Sequence, residues 1–270
     1  MEKKIRAAFF DIDNTILSHT MHKVPESAIY ALSKLKEKGI LVFCATGRHV
    51  EEVKKLPLQG IDFDGGVTLN GAYCYDKNEE IYECEIGEEN IRILLEELEK
   101  HPMPVAFTEK DRVYLNYPGK AAEDSMRKIE CPLPETGDLK RGLDHRIYLF
   151  TIFAEDDSWK PVVEKMDNVV ASSWHEGAID VNSVKTNKSV GIRKVCEHYG
   201  FSRDEAIAFG DGFNDVRMIR KTGIGVAVGN ARDEVKAVAD YVTDPIDDDG
   251  IYHALVHYGL IEDDYKFPNE

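Results

Sequence analysis

Cysteine is scarce in this chain and has no pairing pattern. The five cysteines, Cys44, Cys74, Cys84, Cys131 and Cys196, are scattered, odd in number and never spaced C-x-x-C. That excludes a disulfide framework, gives zinc binding no support, and fits free thiols in a reducing compartment, so a cytoplasmic protein is expected. Long apolar runs are also missing. No stretch approaches the ~18 residues of a membrane span. Met1-Glu2-Lys3-Lys4-Ile5 runs into an apolar strand without the extended apolar region of a signal peptide. Positive charge is in deficit, with 34 Lys and Arg against 50 Asp and Glu, a net charge of −16 and pI ≈ 5.0. Such a surface repels nucleic-acid backbones and anionic membranes, and neither is expected as a partner. A small anion is not excluded, because one cation and a few local donors can reverse the field inside a pocket. There is no internal repeat and no low-complexity segment.

What is present is enough for a proper core. The 270 residues are 43% hydrophobic, which allows one large domain or two modest ones. The N-terminal part alternates strand and helix. Residues 5–10 read as a strand and 25–38 as a helix, with Pro25 in its first turn, Ile29, Leu32 and Leu35 along it, and Gly39 as the stop. Residues 40–45 form a continuous apolar run, the mark of a strand buried on both faces. A short helix follows over 49–55. The C-terminal part repeats the pattern. Ile192, Val195, Cys196 and Tyr199 recur at helical spacing, then come a strand at 206–209, a helix at 216–221, a strand at 225–228, a helix at 231–239 and a last strand at 241–243. Strands alternating with helices predict a doubly wound, mostly parallel Rossmann-like α/β core.

The middle of the chain differs. Ile91, Leu94, Leu95 and Leu98 stripe one helix, Pro102 and Pro104 break it, and strand-like pieces follow at 105–108, 113–117, 146–153 and 169–173. The first two are joined by Glu109-Lys110-Asp111-Arg112, a hairpin connection. The expected organisation is a core made of residues 1–80 and 183–270, with an inserted α/β cap domain, 81–182, containing an antiparallel sheet.

Four segments carry chemistry. Asp11-Ile12-Asp13-Asn14-Thr15 follows the first apolar strand directly. Side chains alternate along a strand, so Asp11 and Asp13 can share a direction at its C-terminal end, where open α/β sheets bind ligands. Two carboxylates there repel unless a cation or proton lies between them, which suits an oxygen-ligated Mg²⁺ and a free carboxylate nucleophile. Thr46-Gly47-Arg48 ends the second strand, where a hydroxyl, close backbone N–H groups and a helix N-terminus make a phosphate cradle. Lys188 opens a helix and can neutralise phosphate or keep a carboxylate ionised, with Lys185 as the alternative. Gly210-Asp211-Gly212-Phe213-Asn214-Asp215 supplies two more carboxylates and an amide in a glycine-permitted loop. Each short segment alone has a bland reading as a turn or a solvated charge; their common placement does not.

Together these segments resemble the four motifs of the haloacid-dehalogenase-like phosphatases. The insertion resembles the α/β cap of the Cof-type, class IIB branch, and Asn70-Gly71-Ala72 matches a short segment common there. The resemblance implies that Asp11 attacks phosphorus to form an aspartyl-phosphate. It implies that Asp13 protonates the leaving alcohol and then takes a proton from water. It further implies Mg²⁺ at Asp11, the Asp13 carbonyl and Asp211, supported by Asp215. Thr46, Gly47, Lys188 and Asn214 would bind the phosphoryl group, and Arg48 the substrate or the cap. An acid role for Asp13 predicts a pKa raised above the usual ~3.9. The family usually has Gly where Asn14 stands; Asn tolerates left-handed backbone, so the turn is expected to survive.

The implied activity is a Mg²⁺-dependent phosphatase of small phosphorylated metabolites, foremost sugar phosphates, acting as a monomer or weak homodimer. The alternatives are a phosphomutase or phosphotransferase of the same architecture and a non-catalytic binder of phosphorylated ligands. A phospho-accepting receiver would be shorter, uncapped and without Asp13. Trp174, His175 and Glu176, before the return to the core, are candidates to reach substrate, and His19 and His22, after the first motif, to line the entrance, although a structural or surface role is the simpler reading of each histidine.

Overall fold

The computed structural model describes residues 4–58, 60–128, 131–175 and 177–267; the side chains of Trp174 and His175 lie outside that description, as does all of Glu176. The chain forms two compact units. One comprises residues up to Arg48, Glu52–Tyr82 and those from Asn187 on; the other comprises Glu83–Thr186 with His49–Glu51.

The first unit is built on an eight-stranded sheet. At its centre Ala7–Phe10 pairs in parallel with Ala206–Gly210 on one side and Leu41–Ala45 on the other. Ile224–Ala227 and Tyr241–Val242 extend the sheet one way, Gly65–Thr68 the other, all parallel. Antiparallel Tyr73–Asp76 and then Glu80–Glu83 complete that edge. Consecutive apolar residues on the central strand serve opposite faces. Phe10 stacks on Phe209 on one face and Phe9 on Phe43 on the other. The helices Glu26–Glu37 and Gly250–His257 cover the Phe10 face, and Lys188–His198 and Val216–Lys221 the Phe9 face. Each fully buried phenylalanine contributes roughly 1.5–3 kcal/mol through removal of its surface from water. This is the doubly wound arrangement expected of alternating strands and helices.

Several boundaries differ from the sequence expectation. Pro25 is the N-cap of its helix, not a residue inside the first turn. The helices expected over 49–55 and 231–239 are single turns, Val50–Val53 and Asp233–Lys236. The second is cut short where the Asp240 carboxylate accepts from Gly225 N and draws the chain into the edge strand. The strand Gly65–Thr68 was illegible because Gly65 and Gly66 are poor strand formers. The sheet requires glycine there, since a Cβ on Gly65 would lie 2.1 Å from Tyr75 O.

The second unit holds a six-stranded sheet in the order Val169–His175, Ala178–Ser183, Leu149–Phe153, Val105–Thr108, Val113–Leu115, Glu135–Thr136. It is antiparallel except for the last pair, and the Val105–Leu115 hairpin forms as the sequence implies. Phe107, Phe150, Ile152, Ile179 and Val181 face the helix Glu88–Lys100, whose Ile91 and Leu94 are buried. Lys120–Lys128 packs on the other face through Ala122 and Met126. Among the described residues no helix is long and apolar enough to cross a membrane.

Candidate active site

Parallel register brings the first, second and fourth sequence segments to one edge of the large sheet. Phe10 lies opposite both Phe209 and Cys44, so Asp11, Thr46 and Asp211 emerge within a residue or two of the same level. Asp11 N donates to Phe209 O at 3.0 Å, which fixes its backbone against the neighbouring strand.

Lys188 reaches this edge from its helix. Its side chain is 1% exposed, and its ammonium donates to Asp11 Oδ1 and Asp215 Oδ1, each at 2.6 Å. A cation in the first turn of a helix opposes the helix dipole, and burial pulls its pKa down; the two carboxylates outweigh both and hold it above its ordinary value. Asn187 caps that helix, its carboxamide oxygen accepting from Val190 N at 3.1 Å. Lys185, the alternative cation, is exposed.

Asp215 is wholly buried. Its Oδ1 takes Lys188, and its Oδ2 accepts from Asp211 N at 3.0 Å and Gly212 N at 2.9 Å. It therefore closes the loop that presents Asp211. Gly210 makes room for this, since a Cβ there would come within 2.6 Å of the Asp215 side chain. Asp211 is steadied by Thr15, whose Oγ1 donates to Asp211 Oδ1 at 3.1 Å. Burial and the Asp215 charge push Asp211 up to about 6. Asp11 is raised well above its ordinary value by burial and then by Asp215, with Lys188 opposing. Asp11, Asp211 and Asp215 offer carboxylate oxygens that all lie within 4.8 Å of one another. An all-oxygen set in which burial and the neighbouring Asp215 charge hold two carboxyl groups up fits a hard divalent cation, which would offset that charge.

Asp13 departs from expectation. Its carboxylate is clamped by Arg48, Nε to Oδ2 and a terminal nitrogen to Oδ1, each 2.7 Å, and His19 Nε2 lies 2.9 Å from Oδ1. Burial would raise its pKa, but hydrogen bonds and charge from Arg48 and His19 outweigh it and hold it well below the usual carboxylate range. The raised pKa expected of an acid is not what this arrangement produces. His19 is correspondingly lifted, first by its bond to Asp13. His19 is thus a partner of Asp13, while His22 is exposed. Trp174, His175 and Glu176 as substrate contacts fall outside the described side chains.

Thr46 is buried, accepts from Arg48 N at its Oγ1 and donates its own N–H to Val67 O at 2.8 Å. Gly47 follows it, packed against the Asn70 side chain. Asn214 is exposed beside them, its Nδ2 donating to Asn70 Oδ1 at 3.1 Å. Asn14 adopts φ 56°, so the turn after the first strand is kept without glycine. Sequence reasoning missed the supporting roles of Thr15 and Asn70. Both lie within segments already marked, but nothing in a sequence says which loop a threonine or asparagine will touch.

The sequence profile of the haloacid dehalogenase-like hydrolases matches residues 8–255. A Bacillus subtilis (strain 168) protein named as a phosphatase, YkrA, is 34% identical over 258 residues, covering 94% of this chain and 98% of its own. Among solved structures, the phosphatase BT1666 from Bacteroides thetaiotaomicron superposes with a TM-score of 0.88 at 31% identity, covering 96% of this chain and 97% of that one. The subclass IIB sugar phosphatase BT4131 gives 0.83 at 33% identity, covering 95% and 100%.

Proposed function

We propose, from the premise that this chain belongs to the haloacid dehalogenase-like hydrolases and is a phosphatase, that it hydrolyses small phosphorylated metabolites, foremost sugar phosphates, with Mg²⁺. The observation that carries this is the buried Lys188 ammonium set between Asp11 and Asp215 beside Asp211. Its charge favours the ionised form of the Asp11 nucleophile against burial and the Asp215 charge, next to an oxygen-lined cation site. The sugar-phosphate class rests on the likeness to BT4131.

In this reading Asp11 attacks phosphorus through a carboxylate oxygen, forming a P–O bond as the bond to the substrate's alcohol oxygen breaks. Asp13 gives that oxygen a proton. It later takes one from the water that attacks phosphorus, which frees inorganic phosphate and restores the Asp11 carboxylate. The clamped, ionised Asp13 is the base form. An anionic substrate competes for Arg48, and as the guanidinium turns to it, burial raises the Asp13 pKa towards the acid form. Thr46, the backbone at Gly47, Lys188 and Asn214 hold the phosphoryl oxygens and meet the charge that develops on them. Asp11, the Asp13 carbonyl and Asp211 would hold Mg²⁺, with Asp215 behind them as the brace of Lys188 and the loop. The bound ion would neutralise phosphoryl and nucleophile charge. The inserted unit would act as the cap that selects the substrate.

The test is phosphate release from hexose, pentose and triose phosphates, nucleotides, FMN and pyridoxal phosphate, with Mg²⁺ and with EDTA, for the wild type and Asp11→Asn. Release that needs Mg²⁺, favours sugar phosphates and disappears in D11N without loss of fold is expected. Near-wild-type turnover by D11N sinks the nucleophile assignment, and undiminished turnover in EDTA sinks the metal.

A further inference from the structure

Leu69, Asn70 and Gly71 form a run of three left-handed residues, with φ of 52°, 53° and 87°. Two of the three carry a Cβ, and such residues persist in this region only where their surroundings over-determine them. The surroundings here are the site loops. Leu69 N donates to Arg48 O at 3.2 Å and Asn70 N to Thr46 O at 3.1 Å, which ties the turn to the Thr46–Arg48 segment. Gly71 lies against the N-cap of the Lys188 helix, where an added Cβ would come within 2.3 Å of Asn187 O. The Asn70 side chain reaches the third loop, accepting at Oδ1 from Asn214 Nδ2 at 3.1 Å. One turn thus touches all three loops that flank Asp11.

The contact with Asn214 has a direction. A carboxamide has an acceptor end and a donor end. Asn214 Oδ1 is turned back on its own loop, 2.9 Å from where a Cβ on Gly212 would stand. Its NH2 group is turned out towards Asn70. Binding one of the two N–H groups to Asn70 fixes which end of Asn214 faces outward and points the second N–H along one line. On the other side, Asn70 Oδ1 and Nδ2 lie within 3.3 Å of a Cβ position on Gly47, so Gly47 admits the asparagine that holds Asn214.

We propose that Asn70 is a positioning residue for phosphoryl binding. Its carboxamide orients Asn214 so that an amide N–H of Asn214 meets a phosphoryl oxygen, and the strained turn keeps that carboxamide in register with Thr46 and Lys188. This deepens the reading above and rests on its assignment of Asn214 to the phosphoryl group.

The test compares Asn70→Gly, Asn214→Ala and the double variant in the full-length protein with Mg²⁺. The readouts are kcat and KM on p-nitrophenyl phosphate, the inhibition constant of inorganic phosphate, and the melting temperature. Glycine is at ease at this φ, so N70G removes the carboxamide without straining the turn. N214A is expected to lower kcat/KM about 10- to 100-fold, the range of a hydrogen bond to a charged group. N70G should lower it by about tenfold at an unchanged melting temperature and raise the phosphate inhibition constant in parallel. The double variant should be no worse than N214A alone, the signature of two residues acting as one. Asn70→Asp keeps an acceptor oxygen and a residue at home in left-handed backbone; it should retain kcat better than N70G and show its added charge as a higher KM. Wild-type kcat/KM in N70G beside an impaired N214A overturns the proposal, as do losses that multiply in the double variant. A silent N214A overturns it too, by removing Asn214 from phosphoryl binding while leaving the Asp11 chemistry untouched.

Discussion

The site depends on where a few charges are forced to be. Asp11 and Asp211 are buried beside the charge of Asp215, and Lys188 does not offset burial and repulsion together, so Asp211 is held near 6 and Asp11 also stands high. The sign of the consequence follows from linkage. A carboxyl group whose folded pKa is raised contributes stability that is present below its ordinary value of 3.8 and lost as pH rises through about 6. A divalent cation binds only the ionised groups and so restores what the rise in pH removes. The rise in melting temperature caused by Mg²⁺ should therefore be larger at pH 7.5 than at pH 5. Apparent affinity should fall about tenfold per pH unit below 6 for each proton displaced. Calorimetry across that range checks it, and a Mg²⁺ affinity flat from pH 5 to 7.5 would show that these carboxyl groups are not the ligands. Asp13 has the opposite sign: Arg48 and His19 hold it low, so its contribution is present above the ordinary carboxylate pKa and is lost only in strong acid.

At the scale of elements, the strands are anchored by apolar runs and the turns by special backbone. The central strands were legible from runs such as Ala7–Phe10 and Ala206–Phe209, whose continuity tells of burial on both faces. Gly65–Thr68 was not, because its glycines answer a demand made by a neighbouring strand, not a local propensity. Gly71 is a second case. With φ 87° and Asn187 O 2.3 Å from its absent Cβ, it sets how closely the Lys188 helix approaches. Gly71→Ala should cost about 1–3 kcal/mol from backbone strain alone, more with the clash. It should lower the melting temperature by several degrees and reduce turnover as Lys188 is displaced. A variant with unchanged melting and unchanged kcat would show that the helix has slack there.

At the scale of the molecule, a net charge of −16 surrounds a site meant for an anion. The long-range field opposes an incoming phosphate, and salt screens it, with a Debye length of about 10 Å at 0.1 M. For an anionic substrate, kcat/KM should rise as NaCl is raised from about 10 mM to about 100 mM at fixed Mg²⁺. A fall instead would mean that the local field of Lys188, Arg48 and the cation dominates the approach. The sequence by itself determined the alternation of strand and helix, the doubly wound sheet, and the strand-end segments holding Asp11, Thr46 and Asp211, because each follows from local periodicity or from polar residues and glycines placed at a strand's end; between Lys188 and Lys185 it left the choice open. It also determined that Asn14 could stand in for glycine, since left-handed tolerance is a property of the residue. Only the tertiary structure decided the partners: Arg48 and His19 on Asp13, Lys188 between Asp11 and Asp215, Thr15 on Asp211, Asn70 on Asn214. These contacts join residues up to 196 apart in the chain. They set whether Asp13 is held charged or neutral, and that balance of burial against neighbouring charge exists only once the loops have met.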